Sequence, residues 1–340
     1  MGGLLSSSSS RETVAVSAQC LREDIPYFLE ALSDVAILTK YHGNSLLGRL
    51  ISDYELHDDV LPLAQLEYDA FQTSPVALAL ESIHTLAFHR GLGYNLLVSP
   101  TSPVHAHDIA EYAAKAYAKA NLVLVASGAN IEDLTPQIEE FWKDLPAGTA
   151  LTSPASKYVG GETRIPHRSS QNVFAVAFPG SALYGSNASS EHVVLAHLLG
   201  GPSPIKWSTG HSALAKVAKG VSSDVNVLAT NISYSDAGLF TILVTGTAAD
   251  VTKAAAASLK VLRDIAKGST VKPEDIKRAI ASARYATYAA TEARLSGLEP
   301  IGQSILDTGK VVDLETVVSG FDKVTPEKLK QVRRYHMVLT

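Results

Sequence analysis

The sequence is poor in cysteine, in charge and in long apolar runs. Among its 340 residues there is one cysteine, Cys20, which excludes an intrachain disulfide and any metal site built from several thiolates. No uninterrupted apolar stretch approaches the roughly 20 residues that a membrane-spanning helix needs. Charged residues make up 19% of the chain and the formal net charge is −5, so there is no net attraction to nucleic acid or anionic lipid.

Apolar residues are abundant, at 46% of the chain, and this is enough to bury substantial cores. The length favours two domains. The stretch from 147 to 168 is rich in Gly, Pro, Ser and Thr and has no periodicity, which is typical of a linker. We therefore predict an N-terminal domain over 1–146, a linker over 147–168 and a C-terminal domain over 169–340.

Hydrophobic periodicity and capping residues predict an alternation of strands and helices in both halves. The Gly/Ser stretch before Thr13 is interpreted as a turn leading into the first strand. The predicted strands are Thr13–Cys20, Asn121–Ala126, Asn172–Phe178, Val225–Tyr234 and Leu239–Thr245. The predicted helices are Asp24–Leu38, His57–Phe71, Val76–Arg90, Asp108–Lys119, Thr135–Trp142, Ser189–Leu199, Ser212–Ala218, Asp250–Lys267, Pro273–Arg294, Pro300–Thr308 and one opening at Thr325.

The two halves align as a duplication. The strand Thr13–Cys20 and its following helix match the strand Leu239–Thr245 and the helix Asp250–Lys267. Residues 172 to about 225 have no counterpart in the first half, and Asn121–Ala126 has almost none in the second. The expected fold is therefore α+β, with two similar α/β-sandwich domains. The first would lack its opening strand and helix, and the second its closing strand.

Eleven histidines prompt a search for metal ligands. Neither His-Glu-x-x-His nor its inverse, His-x-x-Glu-His, occurs, and Ala188 stands where the inverse motif before Glu191 and His192 needs its first histidine. The pairs His84/His89 and His192/His197 are five residues apart, about 140° round a helix, so neither pair faces one ion. His105, His107 and Asp108 open a helix, where capping explains them better than a metal does.

Other catalytic patterns are incomplete. The stretch Leu199–Lys206 weakly resembles a phosphate loop, but Pro202 and Pro204 remove backbone donors that a phosphate would need. Position 214 is leucine where a nucleophile elbow after Ser212 requires glycine. Cys20 lies on the predicted apolar face of a strand, which favours a small buried hydrophobe over a reactive thiol. No catalytic constellation is predicted.

Several short sequence motifs, which occur in the same order as in the family, resemble those of the pitrilysin-type zinc peptidase superfamily. This superfamily includes the mitochondrial processing peptidases. The motifs are the Gly-Gly…Ser-Arg-Glu start at 2–14, the helix at 81–93 that ends in Leu-Gly, the glycine-rich loop at 198–210, and the late helices at 301–309 and 324–327. The Lys206-Trp207-Ser208 form of the loop and the stretch Leu21–Phe28 are most similar to the core protein 2 branch, found in mitochondrial respiratory complex III (ubiquinol–cytochrome c reductase).

The resemblance implies two similar α+β domains and a non-catalytic subunit on the matrix side of the mitochondrial inner membrane. Such a subunit pairs with core protein 1, supports the other subunits of complex III that carry electrons, and reaches the membrane only through its partners. Active members place the zinc helix in a first-domain segment that has no equivalent here, and Glu67 cannot be aligned on their third ligand. The resemblance therefore implies no catalytic, cofactor-binding or metal residue, and no cofactor.

Three departures from the family pattern are expected to reflect a truncated or mis-spliced gene model, with a genuinely shortened paralogue as the less favoured explanation. They are the missing opening strand and helix, the inserted stretch His42–Asp53, and the altered end from Arg333 to Thr340. Two other functions remain open from the sequence. One is the presequence-binding, non-catalytic subunit of the mitochondrial processing peptidase, which the Gly200–Gly210 loop favours. The other, and the less favoured, is an active zinc metalloendopeptidase.

Overall fold

A computed structural model describes residues 2–39, 60–99, 104–202, 210–267, 271–292 and 297–329. The strands are β1 (Gly3–Ser9), β2 (Val14–Cys20), β3 (Asn172–Pro179), β4 (Asn226–Ser233) and β5 (Gly238–Gly246). The helices are α1 (Ile25–Ile37), α2 (Leu61–Gln72), α3 (Pro75–Phe88), α4 (Ala106–Ala116), α5 (Ile131–Phe141), α6 (Ser190–Leu199), α7 (Ala213–Val221), α8 (Ala248–Lys267), α9 (Pro273–Glu292), α10 (Leu298–Thr308) and α11 (Leu314–Asp322).

The chain forms two compact units, each assembled from separate stretches. The first unit comprises residues 1–70, 96–154 and 294–311, and the second comprises 71–95, 155–293 and 312–340. The division into domains at 146 and 169 stays a prediction. The inserted stretch His42–Asp53 and the altered end from Arg333 lie outside the described residues.

The second unit is built on a three-stranded antiparallel sheet in the order β3-β5-β4. The central strand β5 is buried along nearly its whole length. Alternate residues of a strand point to opposite faces. Phe240, Ile242 and Val244 accordingly join the main core, with apolar residues of α6, α7, α8, α9 and α11. Leu239 instead packs in a small cluster with Phe88 of α3. Helices therefore cover both faces of this sheet.

The first unit contains the two-stranded antiparallel sheet β1-β2, followed by α1. Its hairpin has the construction of β4-β5. In β1-β2 the last pair, Ser9 with Val14, encloses four residues, and in β4-β5 the last pair, Ser233 with Gly238, also encloses four. Each hairpin leads into a helix, α1 or α8. The local similarity predicted between the two halves is therefore present in the structure.

One predicted turn is a strand. The Gly/Ser stretch Gly3–Ser9 pairs with β2 along its whole length, and the hydroxyls of Ser6 and Ser17 lie 3.0 Å apart across the pair. Serine has little intrinsic preference for strands, but cross-strand pairing commonly outweighs intrinsic preference. The interpretation of this segment as a turn was wrong because the sequence pattern does not include its partner.

Two predictions in the region 121–142 were also wrong. Asn121–Ala126 is not a strand of any described sheet. The helix predicted to open at Thr135 begins at Ile131 and contains Pro136 in its interior. Glu132 and Asp133 provide the first-turn carboxylates that favour this earlier start. The remaining predicted strands and helices that lie within the described residues agree with the structure to within a few residues at their ends.

Candidate functional site

Helix α6 carries the two residues closest to a zinc-peptidase motif. The Ser189 hydroxyl donates a hydrogen bond to Oε2 of Glu191 at 2.8 Å, and Nδ1 of His192 lies 2.9 Å from the same hydroxyl. Because the hydroxyl hydrogen points to Glu191, the His192 Nδ1–H is the donor to Ser189. Nζ of Lys328 lies 3.8 Å from the other oxygen of Glu191. The carboxylate and the imidazole are thus linked through the residue that precedes the helix.

His197 lies five residues after His192 on α6, and its side chain has a different environment from that of His192. Its Nδ1 lies 3.1 Å from the Ser282 hydroxyl of α9. Burial lowers the pKa of His197 below its ordinary value, because the charged imidazolium loses solvation. The spacing of five residues on α6 therefore places His192 and His197 in separate surroundings, as the helical geometry predicted.

The lowered pKa of His197 predicts acid sensitivity. An unfolded chain binds a proton on this residue near pH 6.5, whereas the folded chain resists it, so the free energy of unfolding should fall as the pH drops below that value. His197→Gln should flatten this decline in urea titrations between pH 7.5 and 5. Ser282→Ala retains the half-buried imidazole and should retain the slope. An unchanged slope in His197→Gln would contradict the assignment.

His105 is the N-cap residue of α4 and Asp108 lies in its first turn, as the sequence interpretation expected, whereas His107 is an exposed residue of that turn. The Asp108 carboxylate accepts a hydrogen bond from the His105 backbone N–H at 3.0 Å, as half of a capping box at the start of α4. The rings of His105 and His107 stack 5.6 Å apart. Within the described part of the chain, no group of three or more His, Cys, Asp or Glu side chains is arranged to hold a metal ion. Glu67 is exposed on α2.

Cys20 is half-buried at the end of β2. Burial, and to a lesser extent the nearby Asp24 carboxylate, raises the thiol pKa, so the unreactive thiol form predominates at neutral pH. The prediction that the apolar face of β2 is buried was wrong at its far end, where Val14 is 57% exposed. The face is covered near Gly3, opposite Cys20, because Phe28 of α1 packs there.

The ends of the glycine-rich loop at 200–210 lie close together. Gly200 adopts a positive φ of 65° and ends α6. The Ser212 hydroxyl donates to the Gly201 carbonyl at 3.0 Å and accepts from the Ala215 N–H at 3.2 Å, so it also caps α7. Residues 203–209, which carry the Lys-Trp-Ser phrase, lie outside the described residues.

A buried polar pair joins α3 to the loop between β4 and β5. His84 is 4% exposed, and its Nδ1–H donates to the Leu80 carbonyl at 2.6 Å. Its Nε2 lies 2.7 Å from the Tyr234 hydroxyl, which donates to the neutral ring. The two rings meet edge to face, 5.7 Å apart. Sequence reasoning missed this pair because 150 residues separate its members.

Removing one partner of this pair should destabilise the second unit. Tyr234→Phe keeps the ring packing but removes the hydroxyl that His84 uses, and we expect a loss of about 1–3 kcal/mol in the free energy of unfolding. Chemical denaturation followed by circular dichroism measures it. Tyr285→Phe, at a residue that is 76% exposed, is the matched control and should change little. Equal effects of the two changes would mean that the buried hydrogen bond contributes nothing.

The sequence of this chain is similar to a known protein family and to several known proteins. Residues 103–283 match the peptidase M16 inactive domain. The chain is 38% identical to the mitochondrial cytochrome b-c1 complex subunit 2 of Neurospora crassa, over 97% of this chain and 70% of that protein. It is 30% identical to the Schizosaccharomyces pombe protein of the same name, over 98% of this chain and 74% of that one.

Two further similarities are more distant. A probable mitochondrial-processing peptidase subunit alpha-1 of Arabidopsis thaliana is 26% identical over 96% of this chain and 64% of its own length. Among solved structures, a chain of complex III2 from Candida albicans with bound Inz-5 superposes with a TM-score of 0.83 at 17% identity, covering 98% of this chain and 79% of that one. At that level of identity, the superposition establishes the fold.

Proposed function

The chain belongs to the peptidase M16 family, in its mitochondrial cytochrome b-c1 complex subunit 2 branch, and we propose on this basis that it is a non-catalytic core subunit of respiratory complex III. The observation that supports this proposal most strongly is the 38% sequence identity to the Neurospora crassa subunit over 97% of this chain. The matched family domain is described as inactive. The subunit acts as a structural component of an oxidoreductase complex and is not itself a peptidase.

Helix α6 belongs to the second unit, whereas active members place the zinc helix in the first domain, and α6 itself has a structural environment. Ala188 replaces the first histidine of the inverse zinc motif, and Glu191 and His192 are held by Ser189. A zinc peptidase needs two histidines on one helix face and a carboxylate free to activate water. The proposal is therefore that this helix packs the core of the second unit and performs no hydrolysis.

The partners follow from membership of the complex. We propose that the chain pairs with core protein 1 and contacts the other subunits of complex III in mitochondria. No helix in the described ranges has the length and apolar character to cross a membrane. Attachment to the inner membrane through partner subunits, on the matrix side, is part of the proposal.

Native electrophoresis of mitochondrial membranes, followed by a denaturing second dimension, tests assembly. An antibody to the peptide Lys272–Arg284 would detect the chain after denaturation. We expect the signal in the complex III band, together with core protein 1. A signal confined to a soluble species of heterodimer size would overturn the proposal.

Protease accessibility tests the matrix-side assignment. With the outer membrane ruptured and the inner membrane intact, we expect the chain to survive added protease, and to be degraded once detergent opens the inner membrane. A protein of the intermembrane space and a matrix protein, probed on the same blot, provide the two references. Degradation before detergent addition would place the chain on the opposite side.

A second candidate is the presequence-binding subunit of a processing peptidase, favoured by the similarity to the Arabidopsis thaliana alpha-1 protein. That function predicts micromolar binding of an arginine-rich presequence peptide by the purified chain, weakening as salt is added. Absence of binding at low salt would exclude it. A stoichiometric zinc content by metal analysis would be the minimum requirement for the third possibility, an active peptidase.

A further inference from the structure

Helices α7 and α8 of the second unit pack against each other and present exposed cations to solvent. The six cations, which we call the basic face, are Lys216, Lys219, Lys253, Lys260, Arg263 and Lys267. The four on α8 lie within about 80° of one another around the helix, since successive residues are about 100° apart. They extend over about 21 Å of the helix axis. The exposed side of α8 is therefore a continuous row of positive charge.

The carboxylates of the same two helices do not neutralise the basic face. There are two of them, Asp250 and Asp264. The Asp250 carboxylate lies in the first turn of α8 and accepts a hydrogen bond from the Thr247 hydroxyl at 2.9 Å. Asp264 is half-buried. None of the six cations forms an ion pair with another described residue, so this surface carries a positive excess in a chain whose net charge is −5.

The fold does not require this charge row. Helix α1 follows the β1-β2 hairpin as α8 follows β4-β5, yet it contains no Lys or Arg and instead carries Glu30 and Asp34. The helix dipole favours Lys267 in the last turn of α8, but this effect does not reach Lys253, fourteen residues earlier. Like charges three and four residues apart, as in the stretch 260–267, slightly destabilise a helix. Helix formation therefore explains only part of the row, and binding of an acidic partner would explain the rest.

The basic face has no apolar anchor. Among the described residues, no exposed large apolar side chain lies on α7 or α8. Stable protein interfaces have apolar and aromatic residues at their centre, where lysine is depleted. Insertion into a bilayer needs Trp, Phe or Leu on the exposed side, and base stacking needs aromatic rings. The basic face therefore recognises a partner by charge alone, which gives weak, rapid and salt-sensitive association.

The extent of the basic face also limits its partner. Duplex nucleic acid carries one charge per about 1.7 Å, so about twelve phosphates would span the row on α8 and the rest would lie beyond it. A bilayer surface likewise extends beyond the row. The chain outside the basic face is acidic, since the net charge is −5 even with these six cations included, and it repels an extended polyanion. A compact acidic patch on a protein is attracted by the row without that repulsion.

We propose that the basic face docks a partner protein that presents a row of carboxylates along one of its helices. Lys253, Lys260 and Lys267 are seven residues apart and Arg263 lies between two of them, so a helix lying alongside α8 can place carboxylates at the same spacing. The contact is transient, because it consists of exposed ion pairs. The proposal concerns one surface of the second unit and does not depend on assembly into complex III, so either can fail without the other.

Thermophoresis of the labelled, purified chain tests this proposal with alanine-based helical peptides. The first peptide carries glutamates at alternating three- and four-residue spacing, the second has glutamine in their place, and the third distributes the same glutamates around the helix. We expect the first to bind with a Kd of about 0.1–1 mM in about 20 mM salt, and at least about tenfold more weakly in about 300 mM salt. Absence of binding by the first peptide at about 5 mM, or equal binding by either of the other two, would overturn the proposal.

Charge reversal locates the binding. Lys260→Glu combined with Arg263→Glu should weaken the first peptide at least about tenfold. Lys119→Glu combined with Lys143→Glu, at exposed positions of the first unit, changes the net charge equally and should weaken it less than about threefold. Equal weakening by the two pairs would overturn the proposal. If the reversed α8 loses its circular dichroism signal, Lys253→Gln combined with Lys260→Gln decides instead, with an expected weakening of about threefold.

Other polyanions test the class of partner. Vesicles that contain about 30% phosphatidylserine, and a DNA duplex of about 20 base pairs, should bind the chain more weakly than the first peptide does at the same salt concentration. Tighter binding of either one, lost when Lys260 and Arg263 are reversed, would overturn the proposal and assign the basic face to a membrane surface or to nucleic acid.

Discussion

Ile242→Ala should lower the free energy of unfolding by about 2–5 kcal/mol. Ile242 is 1% exposed at the middle of the central strand β5, opposite Val176 of β3 and Ala229 of β4. Truncation removes three buried carbons and leaves a cavity that strands on both sides prevent from collapsing. Urea denaturation followed by circular dichroism measures the loss.

Two matched variants identify the cause of that loss. Ile242→Val removes one methyl group and should cost about 0.5–1.5 kcal/mol. Tyr285→Ala removes a larger side chain that is 76% exposed and should change stability by less than about 0.5 kcal/mol. If Ile242→Ala cost no more than Tyr285→Ala, the sheet β3-β5-β4 would not be the core of the second unit.

Gly180→Ala should destabilise the chain by about 1–3 kcal/mol through overpacking. Gly180 follows β3, and its N–H donates to the Gly238 carbonyl at 2.8 Å. A Cβ atom here would lie 2.6 Å from Oδ1 of Asn231, and 2.7 Å from both the carbonyl carbon of Leu239 and the nitrogen of Phe240. The last two atoms belong to the backbone of β5, so the alanine can be accommodated only if the end of the β3-β5 pair shifts.

Gly220→Ala is the matched control for this substitution. Gly220 lies in α7, and an added Cβ would have no atom within 4 Å. Alanine is favoured over glycine in a helix, so this change should raise the free energy of unfolding by about 0.5–1 kcal/mol. Opposite signs for the two substitutions in denaturant titrations would support the close approach at Gly180. A neutral or stabilising Gly180→Ala would contradict it.

Local signals in the sequence predicted most of the second unit. Helix α8 has an apolar stripe, and β5 is rich in apolar residues between polar turns. Both signals act over neighbouring residues. The helix interpretation of His105 and Asp108 was also local, because a capping box involves residues three apart. The family resemblance rested on short phrases in order, and the relatives agree with it.

Features that depend on a distant partner were not predictable in the same way. The serine-rich β1 is a strand only because β2 pairs with it. Leu122–Val125 has an apolar pattern that predicts a core strand, but it belongs to no described sheet. The hydrogen bond between His84 and Tyr234 joins two stretches that are 150 residues apart in the sequence, and neither local sequence indicates that the other is its partner.

The sequence by itself determined where most helices and strands form, the absence of a His-x-x-Glu-His motif, and the family, since each depends on residue types and short spacings. The tertiary structure alone decided which strands are paired, that Glu191 and His192 are linked through Ser189, and that His84 is hydrogen-bonded to Tyr234. These depend on contacts between residues far apart in the chain, and on backbone hydrogen bonds, which residue identity does not specify.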